Sequence, residues 1–132
     1  MGKQILIVDD DSITRKFISF ALRTEGIEVI TAQDGIEALE KLSGQNVCLV
    51  ITDLNMPRMD GLELIRYIRN AAETSHLPVI MLTTEADEES RTSGFQAGAT
   101  EYMIKPVSRE VLLAKVRPLL EMSGVVTSAS EE

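Results

Sequence analysis

The sequence predicts an α/β fold in which a five-stranded parallel sheet, of order 2-1-3-4-5, has helices on both faces. One observation is Val47–Ile51, a continuous apolar run that ends in Thr52 and Asp53. Such a run is typical of a strand buried on both faces. A second is the alternation of five short apolar runs with five helical patterns, which indicates a doubly wound sheet. Because crossovers are right-handed, we place the first strand between the second and the third.

The first three elements are predicted as a strand, a helix and a strand. Gln4–Val8 is apolar after its first residue and stops at three consecutive aspartates. Ser12–Glu25 has apolar residues at helical spacing, and Gly26 suits its carboxyl-terminal cap. Ile27–Thr31 is short and β-branched, which favours a strand. The predicted apolar face of the helix consists of Ile13, Phe17, Phe20, Ala21 and Thr24.

Two further helices flank the central strand. The first begins at Asp34 or Gly35 and is closed by Gly44, and the second follows an Asp60-Gly61 turn and runs over residues 62–70. Caps of this kind are typical of helix ends. The apolar positions of the two helices are Ile36, Leu39 and Leu42, and Leu62, Ile65 and Ile68.

The last four elements repeat the strand and helix alternation. Leu77–Leu82 is a strand led by Pro78, which is tolerated at a strand start. Asp87–Ala97 is predicted as a helix and Glu101–Ile104 as a short strand. Ser108 caps a final helix, whose apolar positions are Val111, Leu112, Val116, Leu119 and Leu120.

The carboxyl-terminal part of the chain carries two local signals. Pro118 interrupts the last helical pattern, so we expect a kink there or an early end of the helix. Beyond Met122 the composition shifts to Ser, Thr, Ala and Glu. We therefore expect one domain over residues 1–122 and a disordered tail over residues 123–132.

Composition limits the class of protein. A chain of 132 residues is one domain's worth. The net charge of −8 disfavours direct binding of nucleic acid, which needs clustered cations. No apolar run is long enough for a membrane span, and Cys48 has no second cysteine with which to pair. We expect a cytoplasmic protein with Cys48 as a small buried hydrophobic residue.

Acidic residues follow two strands that the predicted order makes neighbours. Asp9 and Asp10 end the first strand, and Asp53 ends the third. The winding direction changes between these strands, and ligands of open α/β sheets bind at that position. Three carboxylates repel one another unless a cation joins them, and Mg²⁺ prefers oxygen ligands. We expect Asp10 and Asp53 to be direct Mg²⁺ ligands, with Asp9 direct or through water.

Two more strand ends add chemistry to the same edge. Thr83 offers a hydroxyl after the fourth strand, and Lys105 offers an ammonium group after the fifth. A carboxylate, a metal, a hydroxyl and a lysine together suit phosphoryl transfer, which requires mainly positioning and charge neutralisation. Each group alone has a simpler explanation: helix caps for the aspartates, a turn for Lys105-Pro106 and a strand end for Thr83-Thr84. Their conjunction favours a phosphoryl-transfer site with Asp53 as the acceptor.

The motifs around these strand ends identify a family. They are Val-Asp-Asp, Asp-Leu-Asn-Met-Pro-Arg-Met-Asp-Gly, Leu-Thr-Thr-Glu-Ala, and Ala-Gly-Ala with Tyr-Met-Ile-Lys-Pro. From Gln4 to Leu120 the chain resembles the receiver domain of two-component response regulators, most of all the stand-alone chemotaxis type. The resemblance implies the same flavodoxin-like strand order that the connections predict.

The resemblance also implies roles at the acidic edge. Asp53 would accept a phosphoryl group from a phosphohistidine of a sensor histidine kinase. Asp9, Asp10 and Asp53, with the backbone carbonyl of Asn55, would hold Mg²⁺. Asn55 and Glu85 occupy the positions that help to set how fast the aspartyl phosphate is hydrolysed.

Three further residues are assigned to switching by the resemblance. Thr83 would bind a phosphoryl oxygen, and Lys105 would pair with the phosphoryl group next to a cis Lys105-Pro106 peptide. Tyr102 would be an aromatic switch that moves inward as Thr83 is drawn to the phosphate. Thr84, where the family often has a smaller alanine, restricts the path of Tyr102.

The resemblance implies signalling through other proteins. The chain would be no enzyme beyond phosphorylating itself from a donor and slowly dephosphorylating itself. It would bind a kinase and then a protein target, such as a flagellar motor switch or a phosphatase, as a monomer or weak dimer. The expected output face is the fourth helix, fifth strand and fifth helix, with Arg91, Tyr102, Arg109 and Lys115. A phosphorelay shuttle and a fragment of a longer regulator are alternatives.

Three other classes of protein compete with this interpretation. A flavodoxin-like cofactor binder would need a phosphate loop after the first strand, where this chain has three acids. A haloacid dehalogenase-type phosphatase would need Asp-x-Asp, but residue 55 is Asn. A protein-binding module that works without phosphorylation remains as the alternative of another class.

Overall fold

The computed structural model describes residues 3–84, 86 and 88–122. Within these residues, five strands alternate with five helices, as the sequence predicts. The elements are β1 (Gln4–Val8), α1 (Ser12–Arg23), β2 (Glu28–Ala32), α2 (Gly35–Gly44), β3 (Val47–Asp53), α3 (Gly61–Asn70), β4 (Val79–Thr83), α4 (Glu88–Ala97), β5 (Glu101–Ile104) and α5 (Arg109–Met122). The predicted tail and Glu85 lie outside the described residues.

The sheet is parallel throughout and has the order β2-β1-β3-β4-β5, which confirms the predicted topology. Side chains alternate along each strand between two hydrophobic cores. In β1, Ile5 and Ile7 join the core that α1 and α5 cover, and Leu6 and Val8 join the core that α2 and α3 cover. Each large apolar side chain that is fully buried contributes about 1.5–3 kcal/mol. The two cores fix the sheet between helical layers, so the strand ends are held rigidly.

Helix α1 buries a different face from the one that the sequence predicted. Ile13 and Phe20 are 75% and 70% exposed, and Phe17 is also largely exposed, whereas Ile18 and Leu22 are fully buried. Two apolar stripes run along this helix, and the one with the smaller aliphatic side chains packs on the sheet. The prediction holds for Ala21, which is buried, and is wrong for Ile13, Phe17 and Phe20, because it followed the stripe that carries the aromatic residues.

Helix ends follow the local capping chemistry. Asp34 accepts a hydrogen bond from the backbone N–H of Glu37 at the start of α2. Asp60 and Glu63 form a reciprocal capping box at the start of α3, which therefore begins at Gly61 rather than at Leu62. Gly26, with a φ of 78°, terminates α1 in the left-handed conformation that suits glycine.

Pro118 lies inside α5, which continues to Met122. Of the two expected effects of this proline, the early end of the helix is therefore wrong, and the kink stays a prediction. Leu119 and Leu120 remain buried after the proline, so packing against the sheet holds the last turn in spite of the missing N–H donor. Across the described residues, the helices are too short or too polar for any of them to cross a bilayer.

Candidate functional site

Three acidic side chains converge at the carboxyl-terminal edge of the sheet. Strand β1 pairs with β3, which brings Asp9 and Asp10, just after β1, beside Asp53 at the end of β3. One carboxylate oxygen from each residue lies within 4.8 Å of the other two. Asp9 and Asp53 are buried and Asp10 is exposed. The site is therefore a pocket with two acids in its floor and one at its rim.

Lys105 is the cation of this pocket. Its Nζ lies 2.8 Å from Oδ2 of Asp9 and 3.3 Å from Oδ2 of Asp53. The residue follows β5, and its backbone N–H donates to the carbonyl of Thr83 at 2.7 Å. The Lys105-Pro106 peptide is cis, as the family resemblance implied. A single ammonium group thus bridges two of the three carboxylates.

Burial and charge shift the ionisation of the two central groups. Burial raises the pKa of Asp53, the neighbouring Asp9 carboxylate raises it further, and Lys105 offsets part of the rise. Burial alone lowers the pKa of Lys105, but its hydrogen bond to Asp9 and the charges of Asp9 and Asp53 outweigh burial, so the net shift is upward. Lys105 therefore stays protonated, and the acids retain an unneutralised negative charge that suits a cation.

Thr83 ends β4 at the same edge, two strands from β1. Its residue is buried, and its Oγ1 has no hydrogen-bond partner among the described residues. A buried hydroxyl without a partner costs free energy, so such groups call for a functional explanation. Thr83 therefore brings a buried hydroxyl without a partner to the edge of the sheet at which the acids converge.

Tyr102 lies outside the acidic pocket, on β5 between α4 and α5. The rings of Phe95 and Tyr102 are perpendicular to each other, with their centroids 6.0 Å apart. Arg91 and Lys115 lie over the ring, at 5.3 and 5.4 Å from its centroid. This half-buried position is stabilised by cation–π attraction from both helices.

The loop after β3 is built around Asp53. The backbone N–H of Asn55 donates to Oδ1 of Asp53 at 3.3 Å. A side chain on Gly61 would place Cβ 2.2 Å from the carbonyl oxygen of Asp53, so α3 can begin this close only at a glycine. The Asp60-Gly61 pattern predicts a turn but gives no sign of this close approach.

A second ion pair holds the far side of this loop. Arg58 has a φ of 65°, and its Nη2 lies 2.6 Å from Oδ2 of Asp34. The hydrogen bond from the Glu37 N–H, together with Arg58, lowers the pKa of Asp34. This pair joins the loop to the start of α2, and nothing in the sequence pattern indicated it.

The donor set fits a magnesium ion. Three carboxylates converge closely enough to share one cation, and the exposed position of Asp10 leaves room for retained water. Hard oxygen ligands and a small number of carboxylates are what Mg²⁺ prefers. The same edge also brings together a carboxylate, an ammonium group and a buried hydroxyl, and such groups are suited to neutralising and positioning an anion such as a phosphoryl group.

Comparison with known proteins identifies the fold and its family. The family model described as the response regulator receiver domain matches residues 5–117 of this chain. The response regulator MprA of Mycobacterium sp. (strain KMS) is 40% identical over 94% of this chain and 53% of its own length. The alkaline phosphatase synthesis transcriptional regulatory protein PhoP of Bacillus subtilis is 34% identical over 99% of this chain and 54% of its own. The chain therefore spans about half the length of the curated relatives it matches.

A solved structure resembles the whole described domain. The chemotaxis response regulator CheY4 of Vibrio cholerae superposes with a TM-score of 0.84 at 37% identity, over 91% of this chain and 100% of that one. The range matched by the family model includes Asp9, Asp10, Asp53, Thr83 and Lys105. The protein belongs to the response regulator receiver domain family.

Proposed function

We propose that Asp53 accepts a phosphoryl group from a sensor histidine kinase, with Mg²⁺ in the acidic pocket. Receiver domains are signalling modules of two-component systems that pair with such kinases and use Mg²⁺ at this pocket. The observation that carries the proposal is the position of the Asp53 carboxylate, within 4.8 Å of the Asp9 and Asp10 carboxylates and 3.3 Å from Nζ of Lys105. No simple helix cap requires this convergence.

The residues of the pocket divide the work of the transfer. A carboxylate oxygen of Asp53 forms the bond to phosphorus as the phosphorus–nitrogen bond of the donor histidine breaks, and that nitrogen keeps the electron pair. Asp9, Asp10, Asp53 and the backbone carbonyl of Asn55 would hold the Mg²⁺, which would supply positive charge near the phosphoryl oxygens. Lys105 offers a second positive charge to the same oxygens.

Thr83 and Tyr102 relay the modification in this proposal. The buried hydroxyl of Thr83 donates to a phosphoryl oxygen, and Tyr102 follows inward as the strand end moves. The inward movement competes with the contacts of the ring to Arg91 and Lys115. The hydrogen bond from Thr83 to the phosphoryl oxygen biases the equilibrium between the two positions of Tyr102 because that bond exists only in the phosphorylated state. Glu85, which we assign with Asn55 to the phosphoryl lifetime, lies outside the described residues.

The output is a protein–protein interaction in this proposal. The face around Tyr102 offers Arg91 and Lys115, whereas Arg109 is turned toward α1, where its Nη2 lies 2.6 Å from Oε2 of Glu25. We therefore remove Arg109 from the predicted output face. The similarity to CheY4 favours a chemotaxis target, such as the motor switch. The greater length of MprA and PhoP supports the alternative of a receiver that belongs to a longer regulator. A phosphorelay shuttle is the other alternative.

Phosphorylation with acetyl phosphate and Mg²⁺ tests the acceptor. We expect one phosphoryl group per chain by intact mass, and its loss in Asp53→Asn. Asp11→Asn is the matched control, because the same change lies beside the pocket but outside the acidic cluster. Labelling that persists in Asp53→Asn, or that disappears equally in Asp11→Asn, contradicts the proposal.

A capture experiment tests the output face. Protein loaded with Mg²⁺ and beryllofluoride should retain a protein target that the unloaded protein does not, and Lys115→Ala should weaken that retention. Equal retention with and without the phosphoryl mimic would favour a module that binds without phosphorylation.

A further inference from the structure

The side chain of Arg15 connects helix α1 to the acidic pocket. Its Nη1 donates to the backbone carbonyl of Asp9 at 2.6 Å, from a position six residues later in the chain. The side chain runs back toward the start of α1, the direction that helix geometry gives to long side chains. The carbonyl of Asp9 belongs to the peptide that joins Asp9 to Asp10. Arg15 therefore holds the peptide plane between two of the three acids.

The other polar atoms of Asp9 are held from three different parts of the fold. Its N–H donates to the carbonyl of Ala32 on β2 at 3.1 Å. Its Oδ1 accepts from the N–H of Asp11 at 2.9 Å, and its Oδ2 pairs with Lys105. A cation that enters the pocket draws on the carboxylate oxygens, so the backbone bonds must keep the residue in place. Arg15 supplies one of these backbone bonds.

We propose that Arg15 is a positioning residue for magnesium binding, acting through the peptide between Asp9 and Asp10. The inference rests on the proposed use of Mg²⁺ by this pocket. If the plane of this peptide rotates, the two side chains turn relative to each other and the cluster with Asp53 opens. Residues that orient metal ligands in this way typically change metal affinity by about 10–100-fold when they are removed.

Charge and positioning predict opposite results for the loss of Arg15. Removal of a cation near three carboxylates makes the pocket more negative, so an effect of charge alone tightens Mg²⁺ binding. Loss of the hydrogen bond loosens the ligand arrangement and weakens binding. The sign of the change therefore separates the two explanations.

Lys16 provides the matched control. It is the next residue of α1, carries the same charge and is exposed. Among the described residues, no hydrogen bond joins it to Asp9. Lys16→Ala thus removes one positive charge from the same helix while the peptide between the acids keeps its donor.

The experiment is a calorimetric titration of the full chain with MgCl₂ alone, at constant ionic strength. We expect Arg15→Ala to bind about 10-fold more weakly than the unmodified chain, and Lys16→Ala to bind equally or slightly more tightly. An affinity of Arg15→Ala equal to or above that of Lys16→Ala overturns the proposal. Wild-type chain that binds no Mg²⁺ at all would instead remove the magnesium site on which both proposals depend.

A metal-free measurement accompanies the titration. The amide resonance of Asp11, whose N–H donates to Oδ1 of Asp9, should shift in Arg15→Ala and stay in place in Lys16→Ala. An unchanged Asp11 resonance contradicts positioning through Asp9. If Arg15→Ala does not fold, Arg15→Lys replaces it. This variant keeps the positive charge, but its side chain is shorter and has a single donor group, so we expect the variant protein to bind Mg²⁺ several-fold more weakly. An unchanged affinity overturns the proposal.

Discussion

At the scale of single residues, the acids of the pocket were predictable and their supports were not. Asp9, Asp10 and Asp53 could be placed because each lies at the end of a strand or just after it, and parallel strands end at one edge. Arg15 and Gly61 act through backbone atoms of the acids, the one by a hydrogen bond and the other by making room. Whether the side chain of Arg15 reaches Asp9, and how closely Gly61 approaches Asp53, depends on the packing of whole helices. The periodicity of the sequence therefore does not predict these contacts.

The ionisation of Asp53 should destabilise the metal-free chain. Because folding raises the pKa of Asp53, through burial and then through Asp9, protonation of this group is favoured in the folded state. Its contribution to stability is complete below the unfolded pKa, near 3.8, and is lost as the pH rises through the folded pKa. We expect Asp53→Asn to raise the melting temperature at pH 7 in EDTA and to have little effect near pH 3.

The control variant, Asp11→Asn, should change the melting temperature in the opposite direction. Hydrogen bonds from the Thr14 hydroxyl and the Ile13 N–H lower the pKa of Asp11, so its ionised form is favoured by folding. Asp11→Asn should therefore lower the melting temperature at pH 7. If both substitutions shift stability in the same direction, the assignment of opposing environments is wrong. Thermal unfolding followed by circular dichroism from pH 3 to 7 measures both.

Gly61→Ala should destabilise the protein by about 1–3 kcal/mol, the usual cost of overpacking. The new Cβ would meet the carbonyl oxygen of Asp53 at 2.2 Å and the Cα of Leu54 at 2.7 Å, and both are backbone atoms. Gly44→Ala is the control, because no atom lies within 4 Å of its added Cβ. That variant should be neutral or more stable by up to about 1 kcal/mol. Urea denaturation measures both, and equal stability of the two variants contradicts the close approach.

At the scale of elements, the alternation of strands and helices was predicted well, and the facing of α1 was not. The ends of elements agree with the sequence to within a few residues because Asp34, Asp60 and Gly26 carry local capping chemistry. The rotation of α1 about its axis is a tertiary property. The helix offers two apolar stripes, and the better fit of Ile18 and Leu22 to the sheet decides between them.

The start of α2 should depend on pH through Asp34. Loss of this cap in Asp34→Ala should cost about 1–2 kcal/mol at pH 7, because the N–H of Glu37 loses its acceptor. Folding lowers the pKa of Asp34, so its charge stabilises the fold above the unfolded pKa and this contribution is lost as the pH falls through the folded pKa. Asp34→Asn keeps a capping oxygen and loses only the charge that faces Arg58.

The comparison of these two variants separates the cap from the charge. The difference between the unmodified chain and Asp34→Asn should be present at pH 7 and vanish at pH values well below 3.8. The cost of Asp34→Ala relative to Asp34→Asn should remain, because a neutral acceptor still caps the helix. Unfolding free energies measured at several pH values decide this, and a pH-independent difference between Asp34→Asn and the unmodified chain contradicts it.

At the scale of the whole molecule, the chain carries a net charge of −8, and three of its acids converge at one edge of the sheet, where Lys105 bridges two of them. Without metal, Lys105 neutralises part of the repulsion among the acids and so stabilises the fold. A bound Mg²⁺ would draw on the same carboxylates, so we expect Lys105 and the metal to compete for Asp9 and Asp53. Under the proposed function, this competition would leave the lysine available to a phosphoryl group.

This competition predicts an unequal response of the Lys105→Ala variant to metal. In EDTA the variant should be less stable than the unmodified chain, because Asp9 and Asp53 lose their cation. Saturating Mg²⁺ should stabilise both proteins, by about 2.7 kcal/mol at a free concentration 100 times Kd, and the variant should bind at least as tightly. Thermal unfolding in NaCl and in MgCl₂ at matched ionic strength measures how much Mg²⁺ stabilises each protein. Asp53→Asn is the reference variant, because it should lose most of the stabilisation by Mg²⁺. A Lys105→Ala chain that no longer responds to Mg²⁺ would mean that the lysine supports the metal site and does not compete with it.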